Sequence, residues 1–140
     1  MNSCDRYDSL FQWYGKLQDM DWRLLKAQVK QESQFDPMAR GNIGDAGLAQ
    51  FLAATFNEWA FRLEIKSPNP YNPEHNIQCQ AAYMRWLCDQ FPKNLDYALG
   101  AYNFGIGNVR SGKPWPLSTV QYVTRIKQYA REYGYDVEVA

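Results

Sequence analysis

Apolar residues recur at helical spacing in successive segments of the chain, and polar, proline-containing or glycine-containing stretches separate these segments. The segments cover residues 7 to 17, 22 to 33, 52 to 63, 73 to 91, 95 to 102 and 118 to 133. No stretch of any length alternates apolar and polar residues as strands do, and no internal repeat is present. The pattern predicts an all-α fold of five or six helices with little or no sheet.

Helix ends are marked by residues suited to capping. Asp21 and Ser118 are expected N-caps, Asn72 is expected to cap a helix that starts with Pro73, and Gly134 is expected to end the last helix. These signals bound the helix that precedes the Asp36-Pro37 turn to about residues 22 to 33.

Length and composition favour one folded domain, which we expect to span residues 1–140. Hydrophobic residues make up 46% of the chain and aromatic residues 16%, and the many Trp and Tyr side chains suit a groove that stacks on sugar rings or bases. Fifteen basic and fifteen acidic residues cancel, which argues against a nucleic-acid-binding protein.

The sequence predicts no metal site, cofactor or disulfide framework. Cys4, Cys79 and Cys88 match no ligand spacing, and the single histidine, His75, has no metal-binding companion. The N-terminus lacks the basic and apolar regions of a secretory signal, and no apolar run reaches membrane-spanning length. We therefore expect no signal peptide and no membrane insertion.

Glu32 is a charged residue on an apolar helical face. Trp22, Leu25, Val29 and Glu32 follow one another at spacings of three and four residues. Burial and the negative end of the helix dipole would both raise the pKa of this carboxyl, as a general acid near neutral pH requires. On position alone, the alternative is a glutamate that extends to water or binds a neighbouring backbone group.

Three breaks between helices carry polar motifs. They are Glu-Ser-x-Phe-x-Pro at 32–37, Gly-x-x-Gly-Leu-x-Gln at 44–50 and Ala-Tyr-Asn-x-Gly at 101–105. The glycine-rich stretch reads as a structured loop, and no Lys-Ser/Thr follows it, so it is not a phosphate-binding P-loop.

In this order, the three motifs resemble those of the soluble lytic transglycosylase (SLT) family, lysozyme-like enzymes that cut the glycan strands of bacterial peptidoglycan. The resemblance extends to a helix with Asn76-Ile77, Ala81, Tyr83 and Trp86-Leu87, and to a closing element with Thr119 and Tyr122-Val123. It covers most of residues 20 to 130. It implies a lysozyme-like helical domain with a substrate cleft.

The resemblance also implies a role for each motif residue. Glu32 would be the single catalytic acid and base, cleaving the β-1,4 bond between N-acetylmuramic acid and N-acetylglucosamine to leave a 1,6-anhydromuramoyl product. Gln50, Tyr102, Asn103 and Tyr122 would bind substrate. Tyr102 is further expected to hold the Glu32 carboxyl through its phenol, and Tyr122 to point towards Glu32 from the last helix. For both tyrosines, a core aromatic with a satisfied hydroxyl is the alternative.

Four positions depart from the family pattern. Gly41 stands where Ser is usual, Asp45 where Ala is common, Ala49 where Met is usual, and Ser118 where Glu often precedes Thr119. The changes at Gly41 and Ala49 bear on the substrate subsites, and the change at Ser118 removes a polar neighbour of Glu32.

Two alternatives to the transglycosylase remain at this point. Asp45, or less readily Asp36, would supply a second carboxylate for a muramidase that uses water. A peptidoglycan-binding or structural module that has lost catalysis is the other alternative. We expect a monomer that acts on the bacterial cell wall in the periplasm, delivered by a phage virion, at lysis, or by a secretion assembly.

Overall fold

The computed structural model describes residues 3–137, and this part of the chain is helical. A 3₁₀ turn, Ser3–Asp5, precedes seven α-helices: α1 Asp8–Leu17, α2 Trp22–Ser33, α3 Ala53–Arg62, α4 Pro73–Gln90, α5 Leu95–Phe104, α6 Ile106–Arg110 and α7 Leu117–Glu132. Within residues 3–137 no strand forms, and the only β-type pairs are the isolated bridges of Ala46 with Arg40 and with Phe51. The all-α prediction is confirmed.

Helix α2 lies at the centre of the domain. It packs against α7 and α1, while α4 packs against α1, α3 and α5. The six residues from Leu24 to Val29 are all buried, so the middle of α2 is enclosed on every side. The expected single apolar stripe therefore understates its burial, because Lys26 and Gln28 are enclosed as well.

The capping predictions are confirmed at two helices and wrong at a third. The Asp21 side chain accepts a hydrogen bond from the Arg23 backbone N–H, and the Asn72 side chain accepts one from the His75 N–H. Ser118 lies inside α7, which begins directly after Pro116. Pro116 already has the extended backbone of a residue that precedes a helix, so the helix starts earlier than the serine predicts.

The structure has one helix more than the six predicted segments, because α6, which is five residues long, was not predicted. It follows the break at Gly105, where φ is +95°, and its length is too short for apolar periodicity to reveal it. At the other end of the chain, Gly134 has a φ of +91° just beyond α7, as its predicted role as terminator requires.

The segment between α2 and α3 is tightly tied. Gln34 and Phe35 both have positive φ, which turns the chain sharply out of α2. The Asp36 carboxylate accepts a hydrogen bond from the Met38 N–H (2.9 Å), so it caps this turn. Gly47 has a φ of +80°, and a Cβ there would lie 2.1 Å from the Pro70 carbonyl oxygen, so only glycine fits.

Cys79 and Cys88 carry free thiols. Among the residues that the structure describes, no helix combines the length and apolarity needed to cross a membrane.

Candidate active site

Glu32 lies in the last turn of α2, at a point where three other parts of the chain meet. Its carboxylate Oε2 accepts a 2.8 Å hydrogen bond from the Tyr122 hydroxyl on α7. Tyr102 of α5 and Asp45 of the glycine-rich loop are close enough to interact with it electrostatically. The fold therefore assembles a site around the carboxyl that the sequence singles out.

The surroundings of Glu32 raise its pKa from 4.5 to about 8. Burial, one of the two predicted causes, is the largest contribution, because removal of water penalises the carboxylate anion. The hydrogen bond from Tyr122 acts in the opposite direction, and the negative charge of Asp45 adds to the rise. A carboxyl with this pKa exists in both protonation states near neutral pH, which suits proton transfer in either direction.

Tyr122 contacts Glu32 from the interior of the protein. Its side chain is 4% exposed, so it offers almost no area to a ligand. Its hydroxyl donates to Glu32 and accepts a hydrogen bond from the Gln28 side-chain amide (3.0 Å). Burial, followed by the charge of Glu32, raises the pKa of the phenol well above its ordinary value, so it remains a donor. The predicted orientation towards Glu32 is therefore observed, on the protein side of the carboxyl.

Tyr102 does not hold the Glu32 carboxyl, and that prediction is wrong. Its hydroxyl donates instead to the backbone carbonyl of Ala49, at 2.8 Å. Its ring packs against Tyr83 and Phe51. The reason is that the glycine-rich loop presents an unpaired backbone carbonyl to α5, and a buried hydroxyl needs one acceptor.

Gln50 is used by the loop that carries it. Its amide nitrogen donates to the carbonyl oxygens of Ala39 (3.1 Å) and Gly47 (2.9 Å). Both amide protons are thereby engaged, and the amide oxygen is the group left for a ligand. The predicted hydrogen bond to substrate stays a prediction, and it is limited to an acceptor role in this arrangement.

Asn103 is the most accessible of the predicted binding residues. It is exposed at the end of α5, and its side-chain oxygen accepts a hydrogen bond from the buried Thr119 hydroxyl (2.8 Å). This bond fixes the orientation of the amide. Its NH₂ group donates to no other part of residues 3–137, so both of its protons are available for hydrogen bonding.

Gly41 and Asp45 are two of the departures from the family pattern, and they lie in contact with each other. A Cβ on Gly41 would lie 2.0 Å from Asp45 Oδ1, so the Asp45 carboxylate occupies the space of the missing side chain. Within the described chain, that Oδ1 atom is buried and accepts no hydrogen bond. The absent side chain at position 41 is therefore what allows a second carboxylate near Glu32.

Three buried polar residues support the site, and the sequence motifs do not predict this role. Asn76 accepts from the Ala49 N–H and donates to two backbone carbonyls, and so anchors the glycine-rich loop on α4. Gln28 and Gln80 support Tyr122 from the core. Gln28 stands four residues before Glu32 on the same helical face, and this spacing was an available signal.

The described residues contain no group of three or more His, Cys, Asp or Glu side chains arranged to hold a metal ion.

Sequence comparison finds relatives across most of the chain. Residues 9–114 match the Transglycosylase SLT domain family. Membrane-bound lytic murein transglycosylase F of Haemophilus influenzae (strain PittEE) is 32% identical over 114 residues, which are 77% of this chain and 22% of the relative. Soluble lytic murein transglycosylase of Salmonella typhimurium is 30% identical over 109 residues, which are 75% of this chain and 17% of the relative.

Solved structures of lytic transglycosylases share the fold. Lytic transglycosylase Slt of Pseudomonas aeruginosa, solved as an inactive glutamate-to-glutamine mutant, superposes with a TM-score of 0.84 at 27% identity, covering 93% of this chain and 24% of that one. The 70 kDa soluble lytic transglycosylase of Escherichia coli gives a TM-score of 0.81 at 25% identity, covering 94% of this chain and 25% of that one.

The chain thus spans about a quarter or less of the length of these relatives. The matched region contains Glu32, the glycine-rich loop and the Ala-Tyr-Asn motif, and the lysozyme-like fold of the neighbours agrees with the helical architecture. On sequence and structure together, this chain belongs to the transglycosylase SLT domain family.

Proposed function

We propose that this protein is a peptidoglycan lytic transglycosylase with Glu32 as its single acid and base. The substrate bond is the β-1,4 linkage between N-acetylmuramic acid and N-acetylglucosamine. The observation that carries the proposal is the partly buried Glu32 carboxyl, with a pKa of about 8 and a hydrogen bond from Tyr122.

In the first step, protonated Glu32 gives its proton to the glycosidic oxygen, and the bond from that oxygen to C1 of the muramoyl residue breaks. In the second step, the Glu32 carboxylate takes the proton of the C6 hydroxyl of the same residue. The C6 oxygen then bonds to C1 and closes the 1,6-anhydro ring. Glu32 ends protonated, and no water is consumed.

This cycle needs a carboxyl that is stable both when protonated and when ionised. Burial keeps the proton on Glu32 until the substrate takes it. The Tyr122 hydroxyl stabilises the carboxylate that forms after the first step, because it donates to Oε2. A second carboxylate is not required, since the substrate supplies the nucleophile.

Substrate contacts are proposed for the residues that retain a free polar group. The free NH₂ group of Asn103 would donate to an acetamido carbonyl, and the free side-chain oxygen of Gln50 would accept from a sugar hydroxyl. Tyr102 contributes its ring to the wall of the site, since its hydroxyl is engaged with Ala49.

The relatives support the reaction class. Two of them are named lytic murein transglycosylases, and one solved neighbour is described as inactive after a single glutamate-to-glutamine change. Neither a muramidase nor a non-catalytic module is favoured by these names. A water-using reaction would proceed through Asp45, so an Asp45 variant distinguishes the two reactions.

The test is digestion of purified peptidoglycan sacculi and identification of the products by mass spectrometry. We expect muropeptides that end in anhydromuramic acid. Products with a reducing muramic acid, heavier by one water, would assign a muramidase, and Asp45→Asn would then abolish them. Binding to sacculi with no product of either kind would assign a non-catalytic module.

We further propose that the protein acts as a monomer at the bacterial cell wall, and size-exclusion chromatography with light scattering tests the oligomeric state. Delivery by a phage virion, at lysis, or by a secretion assembly remains the prediction from sequence.

A further inference from the structure

A line of buried hydrogen bonds runs from α4 through α2 to the Glu32 carboxyl. The Gln80 amide nitrogen donates to the Leu25 backbone carbonyl (3.1 Å) and to the Gln28 side-chain oxygen (2.8 Å). The Gln28 amide nitrogen donates to the Tyr122 hydroxyl (3.0 Å), and that hydroxyl donates to Glu32 (2.8 Å). Gln28 and Gln80 are 1% and 0% exposed, so water does not compete for these bonds.

The direction of every bond in this line follows from its first member. A backbone carbonyl only accepts, so Gln80 must present its NH₂ group to Leu25 and, with it, to Gln28. Gln28 must then turn its oxygen to Gln80 and its NH₂ to Tyr122. With its oxygen already accepting from Gln28, the Tyr122 hydroxyl directs its only proton to Glu32 Oε2.

Maintaining this arrangement costs stability. The Gln80 side-chain oxygen is buried and, within residues 3–137, accepts no hydrogen bond. An orphaned buried acceptor is unfavourable, and an apolar residue at this position would avoid it. The glutamine pair is therefore less favourable in the core than apolar side chains would be. Its effect is to fix the direction of the Tyr122 hydroxyl.

We propose that Gln28 and Gln80 are positioning residues that force Glu32 to carry its catalytic proton on Oε1, the oxygen not bound by Tyr122. This inference rests on the proposed role of Glu32 as the acid. If the phenol could turn, protonated Glu32 would donate from Oε2 to the Tyr122 oxygen, and the proton would face the core instead of the substrate.

The groups that face Glu32 are Tyr122 of α7, Tyr102 of α5 and Asp45 of the glycine-rich loop. Within residues 3–137, only Tyr122 has a direct hydrogen bond to the carboxyl. A change at Gln28 therefore acts on Glu32 through Tyr122, and this route can be isolated experimentally.

The test measures the titration of Glu32 by carbon-13 NMR, with the signal assigned by its loss in Glu32→Gln protein. We expect Gln28→Leu to raise the pKa of Glu32 by about half a unit or more, because the protonated carboxyl gains an acceptor and the carboxylate has a weaker donor. Gln80→Leu should raise it too, since Gln28 can then turn its amide and offer its oxygen to the phenol.

The decisive comparison uses Tyr122→Phe as the background. There, Gln28→Leu should add no further shift, because the phenol that carries the effect is absent. An equal shift in both backgrounds would show a general effect of burial and overturn the proposal. Gln121→Leu, an exposed residue of α7, is the matched control and should leave the titration unchanged.

On peptidoglycan, Gln28→Leu should lower the maximal rate roughly tenfold while the basic limb of the pH profile moves to higher pH. An unchanged rate and profile would also overturn the proposal. A wild-type protein that yields no anhydro products would instead refute the proposed function, and the NMR titration would still report on the hydrogen-bond line.

Discussion

Helix α2 carries two charged groups that are withdrawn from water, and they have opposite surroundings. Lys26 is 4% exposed and bonds to the carboxylates of Asp5 (2.8 Å) and Asp8 (2.9 Å), with the Tyr133 ring 4.7 Å from its ammonium. Glu32, six residues later, has no ion pair within residues 3–137, and the charge that acts on it is the like charge of Asp45.

The presence or absence of an oppositely charged partner decides which of the two side chains stays ionised in the folded protein. Burial lowers the pKa of Lys26, but the bonds to Asp5 and Asp8 outweigh it and raise the pKa above 10.5, so the ammonium stays charged. Burial of Glu32 has no cation to offset it, and its pKa rises to about 8. One helix therefore holds a structural ion pair at its centre and an acid at its end.

Removal of the Glu32 carboxyl should have the largest effect on activity. We expect Glu32→Gln to reduce the release of anhydromuropeptides by about 10²–10⁴-fold, because the amide can neither give nor take the proton. Product release from sacculi, followed by mass spectrometry, measures this. Glu132→Gln, an exposed residue of α7, is the control. Full activity in the Glu32→Gln protein would contradict the assignment of the acid.

The same variant should be more stable than the wild type at alkaline pH. Folded Glu32 keeps its proton to about pH 8, while an unfolded glutamate loses it near 4.5, so the wild type loses stability as pH rises through that window. We expect Glu32→Gln to gain on the order of 3 kcal/mol at pH 8.5 relative to its difference at pH 4.5. Urea unfolding at both pH values measures it, and a difference independent of pH would refute the raised pKa.

Loss of the paired charge should have the opposite effect on stability. Lys26→Met leaves two carboxylates without a cation, and we expect destabilisation by about 2 kcal/mol at pH 7. This is less than the 3–5 kcal/mol of fully buried pairs, because Asp5 and Asp8 keep some solvent contact. Urea unfolding measures the loss, with the exposed Lys16→Met on α1 as control. Equal stability of the two variants would mean that the ion pair contributes nothing.

The smallest expected effect concerns the like charge beside Glu32. Asp45→Asn keeps the shape that fits over Gly41 but removes the negative charge, so the pKa of Glu32 should fall by about half a unit. Carbon-13 titration of Glu32 measures the change, with the exposed Asp36→Asn as control. A rise in the pKa of Glu32 would show that Asp45 acts as more than a charge.

Local signals predicted most of the helical framework. The bounds of α2 and the caps at Asp21 and Asn72 depend on residues within one or two turns of each other, so the sequence contains all the information. The predicted N-cap at Ser118 was wrong because α7 begins directly after Pro116. Helix α6 was missed because five residues do not complete a recognisable period.

The candidate site was only partly predictable. Glu32 is visible as a carboxylate on an apolar face, and Tyr122 through the resemblance to the family. The hydroxyl partner of Tyr102 and the contact of Asp45 with Gly41 depend on how the glycine-rich loop folds against α5 and on itself. The sequence does not predict the role of Gln80, because a single polar residue in a long helix usually lies on the protein surface.

The sequence by itself determined six of the seven described α-helices, the buried face that carries Glu32, and the membership of the chain in its family. Tertiary structure decided which groups meet at Glu32, because Tyr122 lies 90 residues away and Gln28 and Gln80 lie 52 residues apart. Periodicity reports on neighbours three and four residues distant, whereas hydrogen bonds between helices depend on how α2, α4 and α7 pack together. The pKa of Glu32, on which the proposed chemistry depends, is a property of that packing.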